Sequence, residues 1–177
     1  MPWGVFATAY VRADLWNLID KLQENFVYCD TDSIKCINDK ENEVLIEAYN
    51  KEKIKAINKV LYNSHINPER VNSEYPLGIF INEGVYDYFK TLGEKKYICE
   101  VNGEGSICVA GLPKKEGGEY IFSQPDPWKF FDDGMYIPAE ATGIEYLVVS
   151  EKGPYFKKRP YSFDIMKIDT YGGLFIL

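Results

Sequence analysis

Two short apolar runs, Phe26-Val27-Tyr28-Cys29 and Ser33-Ile34-Lys35-Cys36-Ile37, are separated by Asp30-Thr31-Asp32 and framed by two long stretches of helical period. Runs this short are strands, and a connection rich in turn-forming side chains closes them into an antiparallel hairpin. In the first flanking stretch, residues 5–23, Val5, Ala9, Leu15, Trp16, Ile19 and Leu22 fall roughly on one stripe, which predicts a helix. A second helix is expected over 40–62, with Val44, Leu45, Ala48, Ile54, Ile57 and Leu61 as its buried set. From residue 77 the pattern changes to short strands at 79–81, 86–92, 96–101 and 106–110, and later at 146–150 and 162–168. Asp126 followed by Pro127 predicts a short helix over 127–133, closed by Gly134. Helix, hairpin, helix and then strands make an α+β chain, not a wound parallel sheet. Its 177 residues suffice for one domain or two small ones.

The side chains available narrow the chemistry. His65 is the single histidine, so an HExxH zinc site or a multi-histidine metal cluster is excluded. It lies in the loop-like stretch Asn63-Ser64-His65-Ile66-Asn67-Pro68, where a structural or surface role is expected. Cys29, Cys36, Cys99 and Cys108 form no CxxC pair, which argues against zinc ribbons and thioredoxin-like redox sites. Met1-Pro2-Trp3-Gly4 lacks the basic start of a signal peptide, and no apolar run has membrane-spanning length. A cytoplasmic chain with reduced thiols and no membrane partner is therefore expected. The net charge of −7 argues against indiscriminate nucleic-acid binding but leaves room for a local basic surface. The stretch 151–177 is net basic and centres on Lys157-Lys158-Arg159, either a nucleic-acid contact or a solvated turn.

Asp30 and Asp32 carry the clearest chemistry. In extended geometry residues two apart point to the same side, so both carboxylates would share one face of the hairpin tip. Two close carboxylates repel unless a cation neutralises them, and hard oxygen ligands of this kind suit Mg²⁺ or Mn²⁺ with substrate phosphates completing the shell. A bare Asp-x-Asp is most often a polar turn; Tyr28-Cys29-Asp30-Thr31-Asp32-Ser33 is far more specific, matching five residue types in six positions.

That hexapeptide resembles the YxDTDS motif, the third palm motif of family B DNA polymerases. Its surroundings are similar to the protein-primed, bacteriophage-type branch. Pro2-x-Gly4-Val5-Phe6-x-Thr8-Ala9-Tyr10-x-Arg12 is similar to the helix preceding the motif, and Leu77-Gly78 followed by Lys95-Lys96-Tyr97 to the KxY element. Ala110-Gly111-Leu112 resembles the strand end where palm passes into thumb. The resemblance implies a palm segment over 1–112, built of helix, β-hairpin, helix and antiparallel strands, and a small strand-rich thumb over 113–177. It implies that Asp32 ligates metal with Asp30 in support, and that Lys95 and Tyr97 hold the primer strand near its 3′ end. On a strand these two would share a face and reach adjacent phosphates. Tyr28 would pack beneath the turn or line the nucleotide pocket. In the thumb the candidate DNA contacts are Lys114, Lys115, Lys129, Lys152, Lys157, Lys158 and Arg159. Trp128, Phe130, Phe131, Tyr136 and Tyr155 are expected to pack in a core more readily than to stack on bases. The implied partners are primer-template DNA, a deoxynucleoside triphosphate and a terminal-protein primer.

The departures from the family are as informative. The DxxSLYP motif, which supplies the second aspartate of a two-metal site, is missing, and so is the Kx3NSxYG helix whose lysine binds the triphosphate. Nor is there room for an exonuclease domain. The chain is thus expected to be the C-terminal part of a polymerase, inactive alone and completed by the remainder of the polymerase chain. Two other readings stand beside it. A non-catalytic DNA- or partner-binding module would use the same fold without turnover. A DxD glycosyltransferase would need a nucleotide-binding half before the motif, and only 29 residues precede Asp30.

Overall fold

The computed structural model describes residues 3–67 and 78–163, an α+β chain dividing into two compact units, 1–85 and 86–177. Among the described residues no helix is long and apolar enough to cross a membrane.

The first unit runs α1 (Trp3–Leu22), a single 3₁₀ turn (Gln23–Asn25), β1 (Phe26–Asp30), β2 (Ser33–Cys36) and α2 (Lys40–Asn63). β1 and β2 pair antiparallel with a bulge at Val27. Only the last two turns of α1 are covered, by α2 and β2, so its buried residues are Leu15, Leu18 and Leu22. The expected stripe is corrected: Val5 and Ala9 lie before the covered turns and are exposed, while Trp16 lies on the outer side of those turns and Leu18 on the inner. α2 starts where the Asp39 carboxylate accepts the Asn42 N–H at 2.8 Å, with Glu41 and Glu43 in its first turn favouring the positive end of the helix dipole. Its inward face carries Asn42, Leu45, Tyr49, Ile57 and Leu61, while Val44, Ala48 and Ile54 of the expected set are exposed. The shift arises because polar residues hold the face in place. The Asn42 amide donates to the Ile37 carbonyl at 2.8 Å, and Lys53 pairs with Asp14 on α1. No strand forms at 79–81. The Asn50 amide clamps Phe80 instead, donating to its carbonyl at 2.7 Å and accepting its N–H at 2.8 Å.

In the second unit, β3 (Tyr88–Thr91), β4 (Lys96–Val101) and β5 (Glu104–Val109) form an antiparallel sheet in that order. α3 (Lys114–Phe122) packs on β5 and is followed by α4 (Pro127–Phe130), which Asp126 caps by accepting the Lys129 N–H at 3.0 Å. β6 (Tyr136–Ile137) pairs with β9 (Tyr161–Ser162), and β7 (Glu145–Ser150) with β8 (Gly153–Lys158). The core joins Ile98, Ile107 and Val109 of the sheet to Leu112, Ile121, Phe131, Met135, Ile137 and Phe163. Residues on both sides of the expected 112/113 boundary share this core, so the packing breaks earlier, between Val85 and Tyr86. α3 was not expected, because Gly117 and Gly118 are poor helix formers. Gly117 is there for proximity, since a Cβ on it would lie 2.5 Å from Leu112 Cγ, whereas nothing in the packing requires Gly118. The helix expected over 127–133 stops at Phe130, and the part of the strand 162–168 beyond residue 163 lies outside the described residues.

Candidate functional site

Asp30 ends β1 and pairs with Ser33, which leaves Thr31 and Asp32 as a two-residue turn. The turn is drawn tight by the Asp32 N–H, which donates to the Asp30 carbonyl at 2.6 Å, and by the Ser33 hydroxyl, which donates to the same oxygen at 3.1 Å. The Thr31 hydroxyl donates to the Asp30 carboxylate at 3.0 Å. Thr31 takes φ +52°, left-handed backbone that costs an L-residue about 1–2 kcal/mol and is least comfortable for a β-branched one. This corrects the extended alternation expected for Asp30 and Asp32: the strand stops at Asp30, and the turn brings the second carboxylate to the tip. Asp30 is half-buried and Asp32 exposed.

Burial, and then the Asp30 charge, push the Cys29 thiol up; burial and then Asp39 do the same to Cys36. The donors that the turn itself offers are carboxylate oxygens, which are hard ligands. Among the described residues no group of three or more His, Cys, Asp or Glu side chains is placed to hold a metal. Asp30 and Asp32 are a partial donor set. Such a set fits Mg²⁺ or Mn²⁺, which take one or two carboxylates and draw the rest of their shell from water and phosphate. Tyr28 is buried at 6% exposure.

Lys95 and Tyr97 lie in the second unit, and the same-face argument for them fails. Lys95 sits in the β3–β4 turn at φ +52°, exposed, and β4 begins only at Lys96. The Tyr97 ring stacks 5.1 Å from Phe89, and its phenol bonds Cys108, its cross-strand partner. Burial first, and the Cys108 bond second, hold that phenol's pKa well above the ordinary tyrosine value.

Lys114 and Lys115 open α3 and line, with Glu100, Glu119 and Phe122, an open cavity of about 520 Å³. The mixed signs make it less basic than the sequence suggests. Lys129 is tied to Asp126 at 3.3 Å. Lys157 and Lys158 end β8 opposite Tyr146 and Glu145, and Arg159 follows, its N–H donating to the Ile144 carbonyl at 3.0 Å. The run is therefore strand and strand end, and the hairpin's turn is Glu151-Lys152. Phe131 is fully buried, Trp128 packs against Tyr88 and Phe122, and Phe130 against Tyr120, whereas Tyr136 and Tyr155 are exposed.

No family model, curated protein or solved structure matches the chain.

The left-handed Thr31 leaves no trace in composition. The strand expected over 146–150 forms as β7, but its partner β8 was not expected, although Ser150-Glu151-Lys152-Gly153 is a two-residue hairpin connection ahead of Pro154-Tyr155-Phe156.

Proposed function

We propose that this chain is the C-terminal palm and thumb portion of a DNA-directed DNA polymerase of family B, protein-primed type. The observation that carries the reading is the strained two-residue turn that sets Asp30 and Asp32 at the tip of a hairpin between two helices. Strain at an exposed turn is retained where it positions functional groups. The exposed faces of the first unit are in keeping with a missing remainder: Val5, Phe6, Tyr10 and Trp16 of α1 are all more than half exposed. A helix apolar on both sides is normally buried on both.

In the intact enzyme the primer 3′-hydroxyl attacks the α-phosphate of a deoxynucleoside triphosphate. The new phosphodiester bond forms as the bond to the β-phosphate breaks, and pyrophosphate leaves. Asp32, with Asp30 beside it, would hold divalent ions together with an aspartate outside this chain, and those ions would neutralise charge on the phosphates and lower the pKa of the attacking hydroxyl. Asp30, through its carbonyl and carboxylate, fixes the turn on which Asp32 stands. Lys95, exposed in its turn, would meet the primer backbone, while Tyr97, bonded to Cys108, would shape the surface beneath it.

The test is primer extension by the polypeptide read in frame from the coding sequence 5′ of Met1 through this chain. The expected result is template-directed synthesis that Asp32→Asn lowers by at least a hundredfold, with Asp30→Asn affected less. Full activity in Asp32→Asn would refute the assignment.

A further inference from the structure

The ribbon β7–β8 is built differently from the rest of the molecule. Its two strands form a sheet of their own, and among the described residues no third strand pairs with either edge. Its faces are largely open: Leu147 is 56% exposed, Val149 79%, Tyr155 51% and Phe156 68%, with Val148 half-buried among them. An isolated two-stranded hairpin is marginal in water, and three or more strands are ordinarily needed to hold one.

Its two edges are unequal. β8 carries Pro154, Lys157 and Lys158, the residue types that keep a free edge from pairing. β7 opens with Glu145, paired across to Lys158, and then runs Tyr146-Leu147-Val148-Val149-Ser150 without a further charge or a proline, in unbroken register with β8. Other described strands are guarded or too short to matter. β1 has its bulge at Val27, β2 holds Lys35, β3 holds Lys90 and is four residues long, α3 covers β5, and β6 and β9 are two residues each.

We infer that the free edge of β7 is a pairing surface, and that its occupant is β7 of a second copy of this chain. A two-fold axis through Val148 sets that residue against its own counterpart, Leu147 against the second copy's Val149, and Tyr146 against its Ser150, so no charged residue lies within the paired segment. At the ends Glu145 meets the second copy's Glu151, each already beside a lysine, Lys158 across the ribbon and Lys152 next in the chain. The product is a four-stranded sheet β8-β7-β7-β8. Its outer edges are the two guarded β8 strands, so assembly closes at the dimer and does not propagate. This inference does not depend on the polymerase reading.

The experiment is light scattering on the whole chain from micromolar to submillimolar concentration, with hydrogen exchange on the same samples. Expected is a rise toward twice the mass of one chain, with protection growing at β7 amides and not at β8. Val148→Lys, which puts a gatekeeper charge on the edge, weakens the dimer about tenfold or more, while Val148→Thr keeps it. A monomer at every concentration would overturn the inference. So would a dimer indifferent to Val148→Lys, which places the contact elsewhere, or β7 amides protected in the monomer, which means the chain covers its own edge. If the lysine variant does not fold, the concentration dependence of β7 protection in the unsubstituted chain decides alone.

Discussion

Replacing Thr31 by glycine and by alanine tests the geometry on which the proposed metal site stands. The residue occupies φ +52°, a conformation glycine adopts freely and alanine does not. Relief of that backbone strain favours glycine by about 1–2 kcal/mol. Against it, the freer unfolded chain costs glycine about 0.5–1 kcal/mol relative to alanine. Both substitutions lose the Thr31 hydroxyl bond to Asp30, exposed and so at the low end, about 0.5 kcal/mol. Thr31→Gly should therefore lie between about 0.5 kcal/mol below and about 1 kcal/mol above the unsubstituted chain, while Thr31→Ala loses about 0.5 kcal/mol. Glycine stands above alanine by about 0.8 kcal/mol at the centre of these ranges, which reverses what an extended strand position would give. Because the chain has two units, hydrogen exchange at β1 and β2 amides, converted to local opening free energies, is the appropriate assay. Alanine matching or exceeding glycine would show that Thr31 is not left-handed, and the placement of Asp32 at the turn would fall with it.

Three further outcomes follow from the packing. Tyr97→Phe should flatten the alkaline limb of stability. A phenol whose pKa is raised on folding contributes stability that is complete below its unfolded value of about 10 and lost as pH rises toward the folded one, so urea midpoints of the two proteins should diverge only above about pH 10. Gly117→Ala brings about 1 kcal/mol of helix propensity but drives its Cβ to 2.5 Å from Leu112 Cγ at a packed site; overlap of that kind costs about 1–3 kcal/mol, so thermal unfolding of the second unit should shift down. Tyr49→Phe should change stability by no more than about 1 kcal/mol in denaturant melts, since the buried Tyr49 hydroxyl sits beside the Lys53–Asp14 pair without a well-formed hydrogen bond to either.

Asp30-Thr31-Asp32, the two long helices and the strands near 88–91 and 96–101 were legible because each rests on local signals: turn chemistry, 3.6-residue periodicity and alternation of short apolar runs. The candidate carboxylates were legible for the same reason, as residue types at fixed spacing. Which face of each helix is inward was not. Val5 is exposed because the described cover of α1 reaches only its last turns, Trp16 because it lies on their outer side, and Asn42 and Lys53 hold the inward face of α2 although neither is apolar.

The sequence by itself determined the two long helices and the acidic hairpin, which follow from local preferences along the chain, and its single histidine excluded a multi-histidine metal cluster. Only the tertiary structure decided the break between Val85 and Tyr86, the helix α3 seated through Gly117, the turn position of Lys95 and the edge of β7 that no described strand pairs. Each depends on what a segment packs against, and a packing partner distant in sequence leaves no periodicity in the segment it covers.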